Sequence, residues 1–311
     1  MSTTEAALGL RRQPERVSPH CRPSDYMVSP DTLLEPLPLP SPRRDPPRGV
    51  LSPTGPREGI AHRRFWVSGP LSEQVEHLWS VEWSRTGLGP YRARTLPHPS
   101  VHLVASATAG GAITSEVVWV QRGPFERTLS GTGWALGVKF VAAGFGRRRA
   151  GPAAGRGPSP LAVVLPEAAV ASWHAALAGA PDVEARVLAT EAWLRAFAPP
   201  MTREARAVRD MVALARDTPA LTRAEDLAAR AGVSLRTLER RFAAHLGVSP
   251  KWVIARYRLH EALAQLARVD RASLSALAAS LGFADQAHFT RSFKALVGLS
   301  PTAYQRAQTR A

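Results

Sequence analysis

Two sets of outward-pointing polar side chains stand at matching places in a pattern that this chain writes twice. The first is Arg236, Glu239 and Arg240, and the second is Gln286, His288, Thr290, Arg291 and Lys294, with Leu235, Ala243 and Ala287 beside them. Spaced three and four residues apart, these groups line one helical face with hydrogen-bond donors and acceptors. Such a row suits reaching into the groove of a nucleic acid. It lacks the paired acid and base, or the activated nucleophile, that bond-breaking chemistry needs.

The helices that must carry these faces are legible in the repeat. Leu227-Ala228-Ala229-Arg230-Ala231-Gly232-Val233 returns 50 positions on as Leu277-Ala278-Ala279-Ser280-Leu281-Gly282-Phe283. After an inserted Ala284 the echo continues at a shift of 51, from Ser234 and Asp285 to Ser249-Pro250 and Ser300-Pro301. Two copies are too few for a stacked solenoid, so the pattern reads as a duplicated small module. Thr222 and Glu225 have capping-box spacing and predict a helix from there to about Ala231. Gly232 allows a tight turn, and Ser234 predicts the cap of a second helix running to Gly247. Leu238 and Phe242 share that helix's inner face. In the second copy the buried set is Leu274, Leu277, Ala278, Leu281, Phe283, Phe289 and Phe293, with Asp285 as cap. Each unit is therefore a helix-turn-helix. Pro250 to about Arg268 reads as one connecting helix of about 27 Å at 1.5 Å per residue. That rod plus the unit radii supplies the separation of about 34 Å between successive major grooves on one face of DNA.

Charge points to the same kind of partner. The chain carries a net +15, and residues 201–311 hold 18 basic against 9 acidic side chains, or +9 of it. A basic domain favours a polyanion through counterion release. With one cysteine, Cys21, no intrachain disulfide forms,. Apolar runs never approach the length of a membrane span, and no apolar leader precedes the first domain, so the expected location is cytoplasmic, nucleoid-associated when bound to DNA.

Upstream, residues 1–58 hold 12 of the 27 prolines and no sustained periodicity, which predicts a disordered arm,. Residues 59–165 read as β-rich, with short strands at 64–67, 78–83, 100–104, 117–120 and 135–141 separated by Gly-rich turns, giving an antiparallel sheet or partial barrel. The tryptophans Trp66, Trp79, Trp83, Trp119 and Trp134 are expected to pack its core. Arg147-Arg148-Arg149 reads as a solvated loop. Helical periodicity follows at 167–177, 182–197 and 202–217, punctuated by prolines. Residues 166–200 are taken as connecting helices and 201–311 as the double helix-turn-helix.

The run Gly282-Phe283-Ala284-Asp285-Gln286-Ala287-His288-Phe289-Thr290-Arg291-Ser292-Phe293-Lys294, with Gly298-Leu299-Ser300-Pro301-Thr302-Ala303-Tyr304, resembles the signature of the AraC/XylS family of bacterial transcription regulators. Leu227-Ala228, Gly232-Val233-Ser234, Leu238, Arg240, Phe242 and Gly247-Val248-Ser249-Pro250 carry the likeness in the first unit. The resemblance implies that helices 235–246 and 286–297 each enter a major groove. It places Arg236, Glu239 and Arg240 on the base-reading face of the first, and Gln286, Ala287, His288 and Arg291 on that of the second. Arginine suits guanine, glutamine adenine, and glutamate the cytosine amino group. Ser234, Thr237, Lys251 and Thr302 are placed for phosphates, which position without specifying. Arg258, within the connector, is given a structural role. Further upstream, Pro97-His98-Pro99, Gly131-Thr132-Gly133 and Gly137-Val138-Lys139-Phe140 resemble an uncharacterised β-rich domain fused to such regulators. The implied fold is multidomain α+β, a cupin-like partial barrel followed by an all-α domain of two helix-turn-helix units on a linker helix. The implied partners are double-stranded DNA and RNA polymerase, with room for a small effector and a homodimer.

Other chemistries are weaker. His98 and His102, four apart on a strand, share a face, but a metal needs three or four ligands and no third fits, so no metal is expected. Gly131, Gly133 and Gly137 lie between strands, which is not a dinucleotide fingerprint. Motifs of serine hydrolases, zinc peptidases and P-loops are missing from the sequence, and neither a catalytic residue nor a cofactor is expected. Two rivals remain: a cupin-type metalloenzyme fused to a DNA-binding domain, and a nonspecific basic nucleic-acid binder. The first copy also presents Arg241, so the two heads are expected to read unequal half-sites.

Overall fold

The computed structural model describes residues 50–51, 58–146, 157–267 and 273–309. Most of the Pro-rich arm, and the Arg147-Arg148-Arg149 loop, lie outside the described residues. Among the described residues, nine strands form two antiparallel sheets that do not close into a barrel. The larger has the order β2 (Ile60–Phe65), β3 (Val75–Ser84), β8 (Thr132–Phe140), β5 (His102–Thr108), β6 (Thr114–Val118), β9 (Ser159–Pro160). The smaller is β1 (Val50–Leu51), β4 (Tyr91–Thr95), β7 (Phe125–Leu129).

Strands β4 and β7 escape sequence patterning because each buries one residue at an end, Tyr91 and Leu129, and leaves the charged Arg92, Arg94, Glu126 and Arg127 between. Cross-strand packing of tryptophan on glycine explains the Gly133/Gly137 spacing: Trp79 faces Gly137 and Trp83 faces Gly133. A Cβ on Gly133 would lie 2.5 Å from the Trp83 ring. Trp66 departs from the expected core role, since it stands 42% exposed. The strand ends beside it, and its ring meets the outer edge of His77.

Two helices, α1 (Glu167–Ala178) and α2 (Val183–Phe197), cover the larger sheet. Their Trp173, Leu177, Val187 and Leu194 share one core with Leu78, Leu103, Leu136 and Val138 of the sheet. Trp173 and Trp193 stack at 4.8 Å, and each indole N–H has an acceptor, Thr190 Oγ1 and Ala169 O. Burying both rings therefore leaves no donor unpaired.

Among the described residues, seven further helices follow: α3 (Arg203–Asp217), α4 (Ala224–Arg230), α5 (Leu235–Leu246), α6 (Pro250–Ala267), α7 (Leu274–Ser280), α8 (Gln286–Val297) and α9 (Pro301–Thr309). α3 joins the first unit, with Val208, Met211 and Val212 against Leu227, Leu238 and Phe242. The connector α6 is more than a rod. Its Val253 and Ile254 complete the first core, while Leu259, Ala262, Leu263 and Leu266 complete the second with Leu277, Phe289 and Phe293. Among the described residues, no helix is long and apolar enough to cross a membrane.

One cap differs from expectation. The residue before α4 is Arg223, which makes no side-chain cap, so the Thr222/Glu225 capping box does not form. Thr222 instead sets its methyl against Gly282 of the second unit. Tertiary packing has taken the threonine that local capping would use.

Candidate nucleic-acid interface

The second helix of each unit is built by a local cap and an inner apolar stripe, so its outer face is left to solvent. At α5, Ser234 Oγ accepts from the Thr237 amide at 3.2 Å. At α8, Asp285 Oδ1 accepts from the His288 amide at 2.6 Å. Both helices close on a left-handed glycine, Gly247 and Gly298. Leu238 and Phe242 in one, Phe289 and Phe293 in the other, are fully buried. That stripe fixes which residues face out.

The outward set is as the repeat requires. Arg236, Glu239 and Arg240 are exposed on α5, and Gln286, Ala287, His288 and Arg291 on α8. Ser234 is exposed, whereas Thr237 is half-buried and its hydroxyl accepts from Ser234 Oγ at 2.9 Å. Lys251 and Thr302 are exposed in the first turns of α6 and α9, where Ser249 and Ser300 cap the helices through Trp252 and Ala303. Thus each module gathers its own cap, first-turn and outer-face residues. The His288 ring stands edge-on to Phe283 at 5.4 Å, which anchors it to the second core.

Arg241 does not join the outer face. Its guanidinium is turned inward, 4.0 Å from Glu204 of α3, where His245 also sits at 3.3 Å. Arg240 lies 3.9 Å from the same carboxylate while staying 65% exposed. His245 beside it, with the charges of Arg240 and Arg241, holds the Glu204 carboxyl below its ordinary value against the opposing cost of burial. An ionised acid therefore stands beside the exposed Arg240. Sequence reasoning missed Glu204 because it lies on a different helix, with no local signal linking it to Arg240.

Arg258 ties the units together, donating to Gly282 O at 3.3 Å and Leu221 O at 3.4 Å. The two histidines four residues apart have partners of their own. The His98 ring lies tilted against that of His260 of α6 at 4.2 Å, and His102 Nδ1 accepts from Trp79 Nε1 at 3.2 Å. Among the described residues no group of three or more His, Cys, Asp or Glu side chains is arranged to hold a metal.

Comparison with known proteins gives the fold its affiliation. Residues 227–307 match a family model described as a helix-turn-helix domain. A Streptomyces lividans protein named as an AraC-like transcription regulator is 32% identical over 121 residues, 39% of this chain and 38% of that protein. The C-terminal part of the chain is an AraC-type helix-turn-helix domain. RhaS, an HTH-type transcriptional activator of Escherichia fergusonii, is 40% identical over 77 residues, 25% of this chain and 27% of that protein. The chain thus spans well under two thirds of the length of the curated relatives it matches. Residues 63–154 match a domain of unknown function, DUF6597. A crystal structure of the DNA-binding domain of AdpA with a target DNA is 28% identical, covering 33% of this chain and 94% of that one, at a TM-score of 0.30. ToxT from Vibrio cholerae is 10% identical, covering 80% of this chain and 98% of that one, at a TM-score of 0.39.

Proposed function

We propose that this chain is a sequence-specific DNA-binding transcription regulator whose AraC-type domain reads two adjacent major-groove segments with α5 and α8. The observation that carries the reading is the pair of capped helices with exposed Arg236, Glu239, Arg240 and Gln286, His288, Arg291, held on one shared helix, α6. Ser234, Thr237, Lys251 and Thr302 contribute phosphate contacts. Activation is the mode of regulation in this reading, with RNA polymerase as the partner; of the two, the name of the RhaS relative states activation.

The β-rich half is the sensing part of this reading. It has an open cleft of about 920 Å³ whose walls include Trp83, Trp134, Ile113 and Leu177. Arg186 spans one side, its guanidinium 4.5 Å above the Trp134 ring. Largely apolar walls with the charged pair Arg186 and Glu82, 3.6 Å apart, suit a small organic effector,, and a second copy of the chain is the other candidate for coupling sensing to DNA.

Selection of bound duplexes from randomised genomic fragments tests the proposal. A recurrent two-part motif supports it. Recovery of unrelated sequences, with affinity that depends steeply on salt alone, would establish a nonspecific binder instead.

A further inference from the structure

The sheet half grips both reading helices by the same feature, their C-terminal ends. Arg94 of β4 donates from Nη1 to Val297 O, the last carbonyl of α8, at 2.8 Å. Its Nε is held at 3.1 Å by Glu126 of β7. Arg122, in the loop after β6, donates to Gly247 O, at the end of α5, across 3.3 Å. The carbonyl of Arg122 in turn accepts from Arg256 of α6 at 3.1 Å.

These are the carbonyls that a helix leaves unpaired, at the negative end of its dipole, so a guanidinium is well matched to each. Apolar seams back both contacts. Leu96 is buried in the second unit's core, and Val120, Ala142 and Ala143 in the first's. Between them His260 of α6 lies 3.3 Å from Pro97 O. The space around Gly298 is fitted to the clamp, because a Cβ there would strike the Arg94 guanidinium.

Resting on the DNA-reading role proposed above, the geometry points to Arg94 and Arg122 as positioning residues that fix the spacing and rotation of the two reading heads. A lone helix such as α6 bends and twists. Bolting each unit a second time, to one sheet assembly, closes a frame around it. The grip leaves the reading faces open, since residues 236, 239, 240, 286, 288 and 291 all remain exposed. The sheet half therefore orients the heads rather than covering them, and a change at the β4 or β6–β7 edge is passed directly to the groove-entry geometry.

The full chain, its site first defined by selection, is titrated against duplexes whose half-sites are moved apart one base pair at a time, and against duplexes with one half scrambled. Wild type gives a peaked spacing profile. Arg94→Ala/Arg122→Ala flattens that peak, with a loss on the order of tenfold at the best spacing through lowered effective concentration of the second head. Binding to either single half-site stays unchanged, and Arg94→Lys/Arg122→Lys, which keeps a donor at each carbonyl, restores the peak. If the double variant is poorly folded, Arg94→Ala alone gives the same comparison for α8. An unchanged spacing profile overturns the clamp, as does an equal loss on single half-sites, which marks a purely structural support. A wild type with no preference for the selected duplex over random DNA overturns the DNA-reading role itself, and the clamp's purpose with it.

Discussion

The rings of His98, from the loop before β5, and His260, from α6, lie 4.2 Å apart across the seam between sheet and helical domain. Burial, then the positive charges of Lys139 and neighbouring residues, keeps the His98 imidazole well below its ordinary pKa. Burial, with Arg256 and Lys139, brings His260 to about 4 although Pro97 O favours its proton. His102, on the sheet side, is brought by burial and Lys139 to about 3. A group that binds protons more weakly folded than unfolded makes stability rise with pH between its two pKa values. Stability is therefore full above the unfolded value of 6.5 and is lost as pH falls toward 4. Glu76, which burial pushes up and His77 and Lys139 pull down to about 2, adds a loss only below its usual 4.5. Thermal midpoints across this range should fall with acid, and His260→Gln should flatten the slope. Parallel curves for variant and wild type would show that the seam does not feel His260 protonation.

Arg240 and Arg291 occupy equivalent outward places on α5 and α8. Each replaced by alanine is expected to weaken binding to the selected site by about 1–3 kcal/mol, and random DNA far less. Equilibrium titration on both duplexes decides it. Equal losses on the two would assign these side chains to phosphates.

In the proposed DNA-reading role, Glu204, ionised beside Arg240 at 3.9 Å, competes with DNA for that guanidinium. Glu204→Gln is expected to tighten binding to random duplex by about threefold at low salt, the size of an exposed pair, and the gain should vanish at high salt. No change at low salt would mean that Arg240 leaves the carboxylate at no cost.

Gly232 and Gly282 sit at the same turn of the two units with φ of +65° and +68°. A methyl on Gly232 meets open space, whereas one on Gly282 lands 2.5 Å from Thr222 Cγ2. Gly232→Ala should cost about 1 kcal/mol of left-handed strain, and Gly282→Ala clearly more, read by chemical unfolding. Equal costs would show that Thr222 yields freely.

The repeat alone determined the helical half. Its caps Ser234 and Asp285, its buried Leu238, Phe242, Phe289 and Phe293, and its outward arginines follow from a period of 3.6 and a cap that bonds three residues on. Those are local rules, written in adjacent residues. Strands β4 and β7 were illegible because one-sided burial at an end gives no alternation to read. The fates of Thr222, Arg241, Arg94 and Arg122 were decided only in three dimensions. Each had a plausible local role, as cap, reading residue or surface charge, and each instead answers a partner far along the chain: Gly282, Glu204, Val297 and Gly247. Sequence periodicity states which face a side chain takes, but an unpaired helix-end carbonyl or a glycine closely approached by another segment exists as a partner only after the chain has folded around it.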